Sequence, residues 1–187
     1  MLFIPRAIKI ALYLALLFSL AACHLTSKPE RELPLFDLMP VPDELNGGGW
    51  LEQFQFSGVV DQSMLVSTEF TRPMIHIVAL SFEGVPLTQL QFDTRTHRLI
   101  SENSLGVELD GKKIIYDMQS VFWPLSMLEE SMRANSQVIE RTIAGQLTRQ
   151  FYRNETLIRE ITYNGALTKL NELEQNYRLE IKRLEEY

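Results

Sequence analysis

Met74-Ile75-His76-Ile77-Val78-Ala79-Leu80 has the length and composition of a strand and is apolar on both faces. Such a short run, rich in Ile and Val, with Arg72-Pro73 before it and Glu83-Gly84 after it, reads as a buried strand. It is expected to be central and covered on both sides. The segments around it share its texture: Leu51 to Val60, Met64 to Phe70, Leu87 to Phe92 and His97 to Asn103, separated by Asp61-Gln62, Arg72-Pro73, Glu83-Gly84 and Asp93-Thr94. Links this short cannot hold a parallel crossover, which needs a dozen or more residues, so consecutive strands must pair antiparallel as a meander.

From Gly111 the period becomes helical. Ile114, Ile115, Met118, Val121 and Phe122 fall on one side at spacings of three and four, and Trp123-Pro124 interrupts them. Ser126 and Glu129 have the spacing of a capping box for a second helix, whose apolar stripe is Leu125, Leu128 and Met132. Strand texture returns in Gln137 to Ile143, Leu147 to Tyr152 and Thr156 to Tyr163, with turns at Gly145, Asn154 and Asn164-Gly165. Thr168 to Tyr187 fits two patterns. Leu170, Leu173, Tyr177, Ile181 and Leu184 suit a helix face, whereas Tyr177, Leu179 and Ile181 suit a strand after a turn at Gln175-Asn176; the pattern alone leans towards helix.

The N-terminus has a different character. Arg6 and Lys9 precede the apolar run Ile10 to Phe18, which is built like a signal peptide and is too short for a membrane-spanning helix of roughly 20 residues. Leu20-Ala21-Ala22-Cys23 follows, and Cys23 is the only cysteine among 187 residues, so it cannot form an internal disulfide. These four residues resemble the lipobox of bacterial lipoprotein precursors. The resemblance implies that residues 1–22 are removed and that Cys23 becomes a lipidated N-terminus, a covalent lipid being the only non-protein group expected. Aspartate after the cysteine would imply inner-membrane retention; here that position is His24, which implies a lipid anchor in the outer membrane, on its periplasmic face.

Residues 23–49 contain Pro29, Pro34, Pro40 and Pro42 and end in Gly47-Gly48-Gly49; they read as a flexible tether. No Lys-Ser/Thr pair follows the glycines to complete a phosphate loop. Residues 50–187 remain as one domain. The formal charge is −6, and falls to −8 without the leader, which argues against nucleic acid as a partner. The only histidines, His24, His76 and His97, lack ligand spacing, so no metal site is expected. With no Gly-x-Ser-x-Gly elbow, and no histidine near Ser126 or Ser131, no catalytic residues and no enzyme are expected.

A lipidated cysteine, a proline-rich segment, a meander, two helices broken at Trp-Pro and a second strand set form an order that resembles the outer-membrane lipoprotein receptor LolB. More closely, it is similar to a family of small lipoproteins encoded among aryl-polyene biosynthesis genes. The segments that carry the likeness are Met74 to Phe92, Ile114 to Met118 with Trp123 to Ser126, Arg159 to Tyr163, and Tyr177 to Ile181. The resemblance implies an α+β, mostly β fold: a strongly curved antiparallel sheet, an open or half barrel, with two short helices closing an apolar cavity. It also makes Tyr177 to Ile181 a terminal strand.

By the same likeness, Phe54, Phe56, Leu90, Phe92, Ile114, Met118, Phe122, Trp123 and Leu128 are candidates to line a lipid cavity, and each equally suits a plain core. The hairpin Phe82-Glu83-Gly84-Val85-Pro86 would be the membrane-insertion loop through Phe82 and Val85, although the leucine typical of that loop is absent. The implied role is to bind acyl or polyene-lipid chains, or lipidated cargo handed over by a soluble periplasmic carrier, and to assist their insertion into the membrane. The alternative is a scaffold lipoprotein that recruits envelope or pigment-synthesis proteins and has a filled interior.

Overall fold

The computed structural model describes residues 34–58, 61–103 and 110–187. The predicted signal peptide, Cys23 and the segment up to residue 33 lie outside the described residues, as do the end of the first predicted strand and residues 104–109. Ten strands form one antiparallel sheet: β1 (Gly49–Ser57), β2 (Gln62–Thr71), β3 (Met74–Leu80), β4 (Pro86–Asp93), β5 (Arg98–Asn103), β6 (Ser136–Ile143), β7 (Gln146–Arg153), β8 (Thr156–Asn164), β9 (Leu167–Glu172) and β10 (Tyr177–Glu186). Helices α1 (Gly111–Phe122) and α2 (Leu125–Ser131) separate β5 from β6.

The strand order is β5-β4-β3-β2-β1-β10-β9-β8-β7-β6. Two five-strand meanders are thus joined where the first strand pairs with the last, Phe54 opposite Ile181 and Phe56 opposite Leu179. β5 and β6 form the two edges of the open sheet.

The sheet has to curve. β5 and β7 are eight strand spacings apart in this order, about 38 Å in a flat sheet, yet both reach α1, a helix of twelve residues and so about 18 Å long. From β5, Leu99 comes so close to Gly111 that a Cβ there would meet its Cδ2 at 2.6 Å. From β7, the Arg149 Nη1 donates to the carbonyl oxygens of Ser120 at 2.8 Å and Trp123 at 2.9 Å. The fold is therefore mostly β, a curved open sheet with two short helices in its concave side.

Strand alternation follows from that single cover. In β3, Ile75, Ile77 and Ala79 are buried beneath the helices, while Met74, His76, Val78 and Leu80 on the other face are only half-buried. The expectation that both faces are covered is corrected: among the described residues, both helices pack on the concave side, and the apolar residues of the outer face are shielded by their own neighbours alone.

Two further sequence readings change, at the start of α2 and in the segment before Trp50. Asp110 caps α1 by accepting from the Lys113 backbone N–H at 3.2 Å, but α2 begins after Pro124 with no side-chain cap, and Ser126 lies inside it rather than heading a capping box. Proline fits there because its fixed φ suits a helix start. The C-terminal segment, whose period alone leans towards helix, forms β9 and β10, with Tyr177 to Ile181 the terminal strand that the family likeness implies; they turn at Asn176 with φ 53 and supply the strand that joins the two meanders.

The folded unit begins at Pro34, not at Trp50. Leu35, Phe36, Met39 and Val41 are buried. Phe36 stacks on Tyr116 at 4.3 Å, Gln119 exchanges two hydrogen bonds with the backbone of Met39, and the Trp123 indole N–H donates to the Pro40 carbonyl at 2.8 Å. The prolines keep this stretch extended, which makes it a strap across the helices; its apolar residues hold it down.

Candidate functional site

On the concave face, β1 contributes Trp50, Glu52, Phe54 and Phe56, β2 contributes Met64 and Val66, and β10 contributes Tyr177, Leu179 and Ile181; Phe54 lies opposite Met64 on one side and Ile181 on the other. Burial is uneven along this face. Trp50, Val66, Tyr177 and Ile181 are in the core, whereas Phe54, Phe56, Met64 and Leu179, with Ile114 and Leu99, pack against it while half-buried. Phe54, Phe56, Met64 and Leu179 thus form a partly exposed apolar strip, the trough, across β2, β1 and β10.

The expected cavity residues divide accordingly. Leu90, Phe92, Met118, Trp123 and Leu128 are buried in the core. Phe54, Phe56, Ile114 and Phe122 remain half-buried, and Phe122 lies against Trp50 with ring centroids 4.5 Å apart. Phe82 and Val85 project from the β3–β4 turn, 54% and 57% exposed.

Behind the trough lies an ionic cluster that periodicity did not single out. Arg159 of β8 is fully buried; its Nε donates to Glu172 at 2.7 Å, its Nη1 to the Ser120 hydroxyl at 2.6 Å and its Nη2 to Asp117 at 2.6 Å. The Tyr177 hydroxyl donates to the other Asp117 oxygen at 2.7 Å. The Lys113 ammonium bonds Asp117 at 3.0 Å, donates to the Tyr177 hydroxyl, and lies 4.0 Å from the centre of the Tyr177 ring. Phe56 stacks on the same ring at 5.4 Å, so the cluster borders the trough.

Its electrostatics are those of an anchor. Burial disfavours the Arg159 charge, but Asp117, Tyr177 and Glu172 outweigh it and hold the guanidinium above its ordinary value. Burial, then Asp117, push the Tyr177 hydroxyl far up, so it remains a neutral donor; burial pushes Tyr116 up to about 12. The two cations and two carboxylates compensate one another and tie α1 to β8, β9 and β10. Arg149, paired with Glu140 at 2.7 Å, satisfies the last carbonyls of α1 in the same way.

A second pair lies inside β1 and β10. Glu52 is 1% exposed; it accepts a hydrogen bond from Arg183 Nε at 3.1 Å and forms an ion pair with Nη2 at 3.0 Å, while Arg183 lies 3.9 Å from the Trp50 ring centre. Burial raises the Glu52 pKa, with Arg183 opposing. The folded chain thus holds this proton more tightly than the unfolded one. The resulting stability is full below the unfolded value near 4.5 and is lost as pH rises through the higher folded value. Glu52→Gln should therefore gain stability relative to the parent as pH rises from 4 to 8, as urea unfolding at several pH values would show; a gap independent of pH would contradict the assignment.

Neither remaining histidine of the described residues lies in the trough: His76 is half-buried on the outer sheet face, and His97 is exposed in a turn with its ring over Phe92. Among the described residues, no group of three or more His, Cys, Asp and Glu side chains is arranged to hold a metal. An open depression of about 510 Å³ is lined by Asn135, Ser136, Gln137, Tyr152, Asn154 and Glu155, none of which belongs to the trough.

A family model described as "Protein of unknown function (DUF3261)" matches residues 52–185. No curated protein sequence matches the chain. Among solved structures, it is similar to an outer membrane lipoprotein-sorting protein domain from Vibrio parahaemolyticus, at 7% identity and a TM-score of 0.38, with 78% of this chain and 86% of that chain covered.

Proposed function

The chain belongs to the DUF3261 family, whose description leaves its function open, and from the geometry we propose that it is a non-catalytic lipoprotein, anchored in the outer membrane through Cys23, that takes up acyl or polyene-lipid chains in its concave trough. The observation that carries this reading is the row of half-buried Phe54, Phe56, Met64, Ile114 and Leu179 on the face that the helices otherwise close. Apolar side chains left partly open inside a curved sheet can gain by covering, at about 25 cal/mol per Å² buried. The exposed Phe82 and Val85 at the β3–β4 turn suit contact with the bilayer during hand-over. Cargo would arrive free or on a soluble periplasmic carrier.

The test uses the chain from His24 onward, which contains the whole compact unit from Pro34 to Tyr187. N-phenylnaphthylamine, a neutral probe that fluoresces in apolar sites, should bind saturably and be displaced by medium-chain lipids. Phe56→Glu should weaken that binding about tenfold or more, since losing one buried aromatic contact is worth roughly 1.5 to 3 kcal/mol. Non-saturable binding by the parent chain would sink the proposal and favour the scaffold reading.

A further inference from the structure

We propose that Glu52 is the acceptor for the polar head of the bound amphiphile: the oxygen it leaves free takes a hydrogen bond from a hydroxyl or amide N–H, and the tail runs along β1 over Phe54 to Phe56. This rests on the acyl-binding reading above and adds to it the chemistry of the ligand's head and the direction in which it enters.

The pairing of Glu52 with Arg183 is lopsided. A guanidinium and a carboxylate usually meet as two parallel bonds that use both oxygens. Here Arg183 Nε donates to Oε1 at 3.1 Å, Nη2 pairs ionically with the same oxygen at 3.0 Å, and Nη1 turns to Glu186 at 3.3 Å. Glu52 Oε2 is buried and has no hydrogen-bond partner. Leaving a buried acceptor unpaired costs free energy, more when the group is charged, so a ligand that supplies a donor there gains what the protein lacks.

The surroundings of Glu52 favour an apolar approach along β1. On its own face, Trp50 lies two residues before it and Phe54 two residues after it, with Val66 opposite in β2 and Arg183 opposite in β10. Trp50 and Val66 are core residues and Arg183 lies over Trp50. The side towards Phe54, Met64 and Phe56 is half-buried and apolar, whereas the other half-buried neighbours are Arg183 itself and Phe122, which lies against Trp50 and Arg183. The four-residue step from Glu52 to Phe56 is about 14 Å along the strand, the length of a medium alkyl chain lying in the trough. Tyr177, stacked on Phe56, marks where the tail reaches the ionic cluster.

When ionised, Glu52 is acceptor-only, and in that state it selects heads that donate and discriminates against ethers and esters of the same length. Decanol and decyl methyl ether, which differ in that donor, would be compared as competitors of N-phenylnaphthylamine. The parent chain is expected to bind decanol about tenfold or more tightly than the ether, because a hydrogen bond to a charged group typically contributes roughly 1.5 to 3 kcal/mol. Glu52→Leu should erase that preference while still binding the ether. Equal affinities in the parent chain, a comparison that needs no variant, would overturn the role of Glu52 and leave the apolar trough standing. A preference that persists in Glu52→Leu would overturn it as well. Displacement by neither compound would bring down the acyl-binding reading itself.

Discussion

Arg159→Met is expected to cost about 3 to 5 kcal/mol of folding stability, the usual effect of removing one partner from a buried ion pair. That is a large share of the roughly 5 to 15 kcal/mol that holds a domain together. The cost arises mainly from what is left behind. Glu172 is 4% exposed and its side chain bonds Arg159, so the variant strands a carboxylate in the interior. Asp117 keeps Lys113 and Tyr177 and suffers less. The double variant Arg159→Met, Glu172→Met should therefore recover much of the loss, since an apolar pair of similar volume can replace a buried ion pair. Urea unfolding of the parent, both single variants and the double variant would measure the coupling. A single variant within about 1 kcal/mol of the parent would show that the cluster does not hold α1 to the second meander.

The effect would extend to the trough. Asp117, Ser120 and Lys113 all belong to α1, and Ile114 on the same helix forms part of the trough wall. A helix that loses its anchor to β8 and β9 loosens that wall, so probe binding should fall together with stability in Arg159→Met and return with it in the double variant.

Cys23→Ala is expected to abolish palmitate incorporation and recovery with the outer membrane, the largest functional change proposed for any single position. Each buried methylene contributes about 0.8 kcal/mol to membrane binding, and stable anchoring needs two acyl chains or one chain with a second signal. No helix among the described residues is long and apolar enough to cross a membrane. Folding should be untouched, because Cys23 precedes the compact unit that begins at Pro34. Growth with radiolabelled palmitate and membrane fractionation would check both parts; wild-type recovery with the outer membrane and no label would refute the anchor.

Much of the architecture was legible because it depends on short-range patterns. The strands, the two helices and the break at Trp123-Pro124 appear in the period of apolar residues, which reports which side of each element faces the core. The strap was not legible. Pro34, Pro40 and Pro42 read as tether composition, and the fact that Phe36 meets Tyr116 and Met39 meets Gln119 is a property of contacts across some 80 residues. The C-terminal strands were ambiguous for the same reason: Thr168 to Tyr187 carries both periods, and pairing with β1 decides between them.

The site divides along the same line. Phe54, Phe56 and Ile114 could be named from their place in apolar patterns, but whether each is core or open wall depends on what α1 covers. Arg159, Asp117, Glu172 and Tyr177, and likewise Glu52 and Arg183, were invisible as a group, because charged residues on a strand read as a solvated face until the register shows which way they point. Their spacing along the chain carries no signal.

By itself, the sequence determined the element list: two helices between strand series, and antiparallel meanders forced by links too short for crossovers. Only the tertiary structure decided which face of the sheet is covered, which charges are buried and where the apolar interior stays open. The physical reason is that burial is a property of the curved sheet with its helices in place. Its curvature brings β5 and β7 to one short helix, and no local pattern records that meeting.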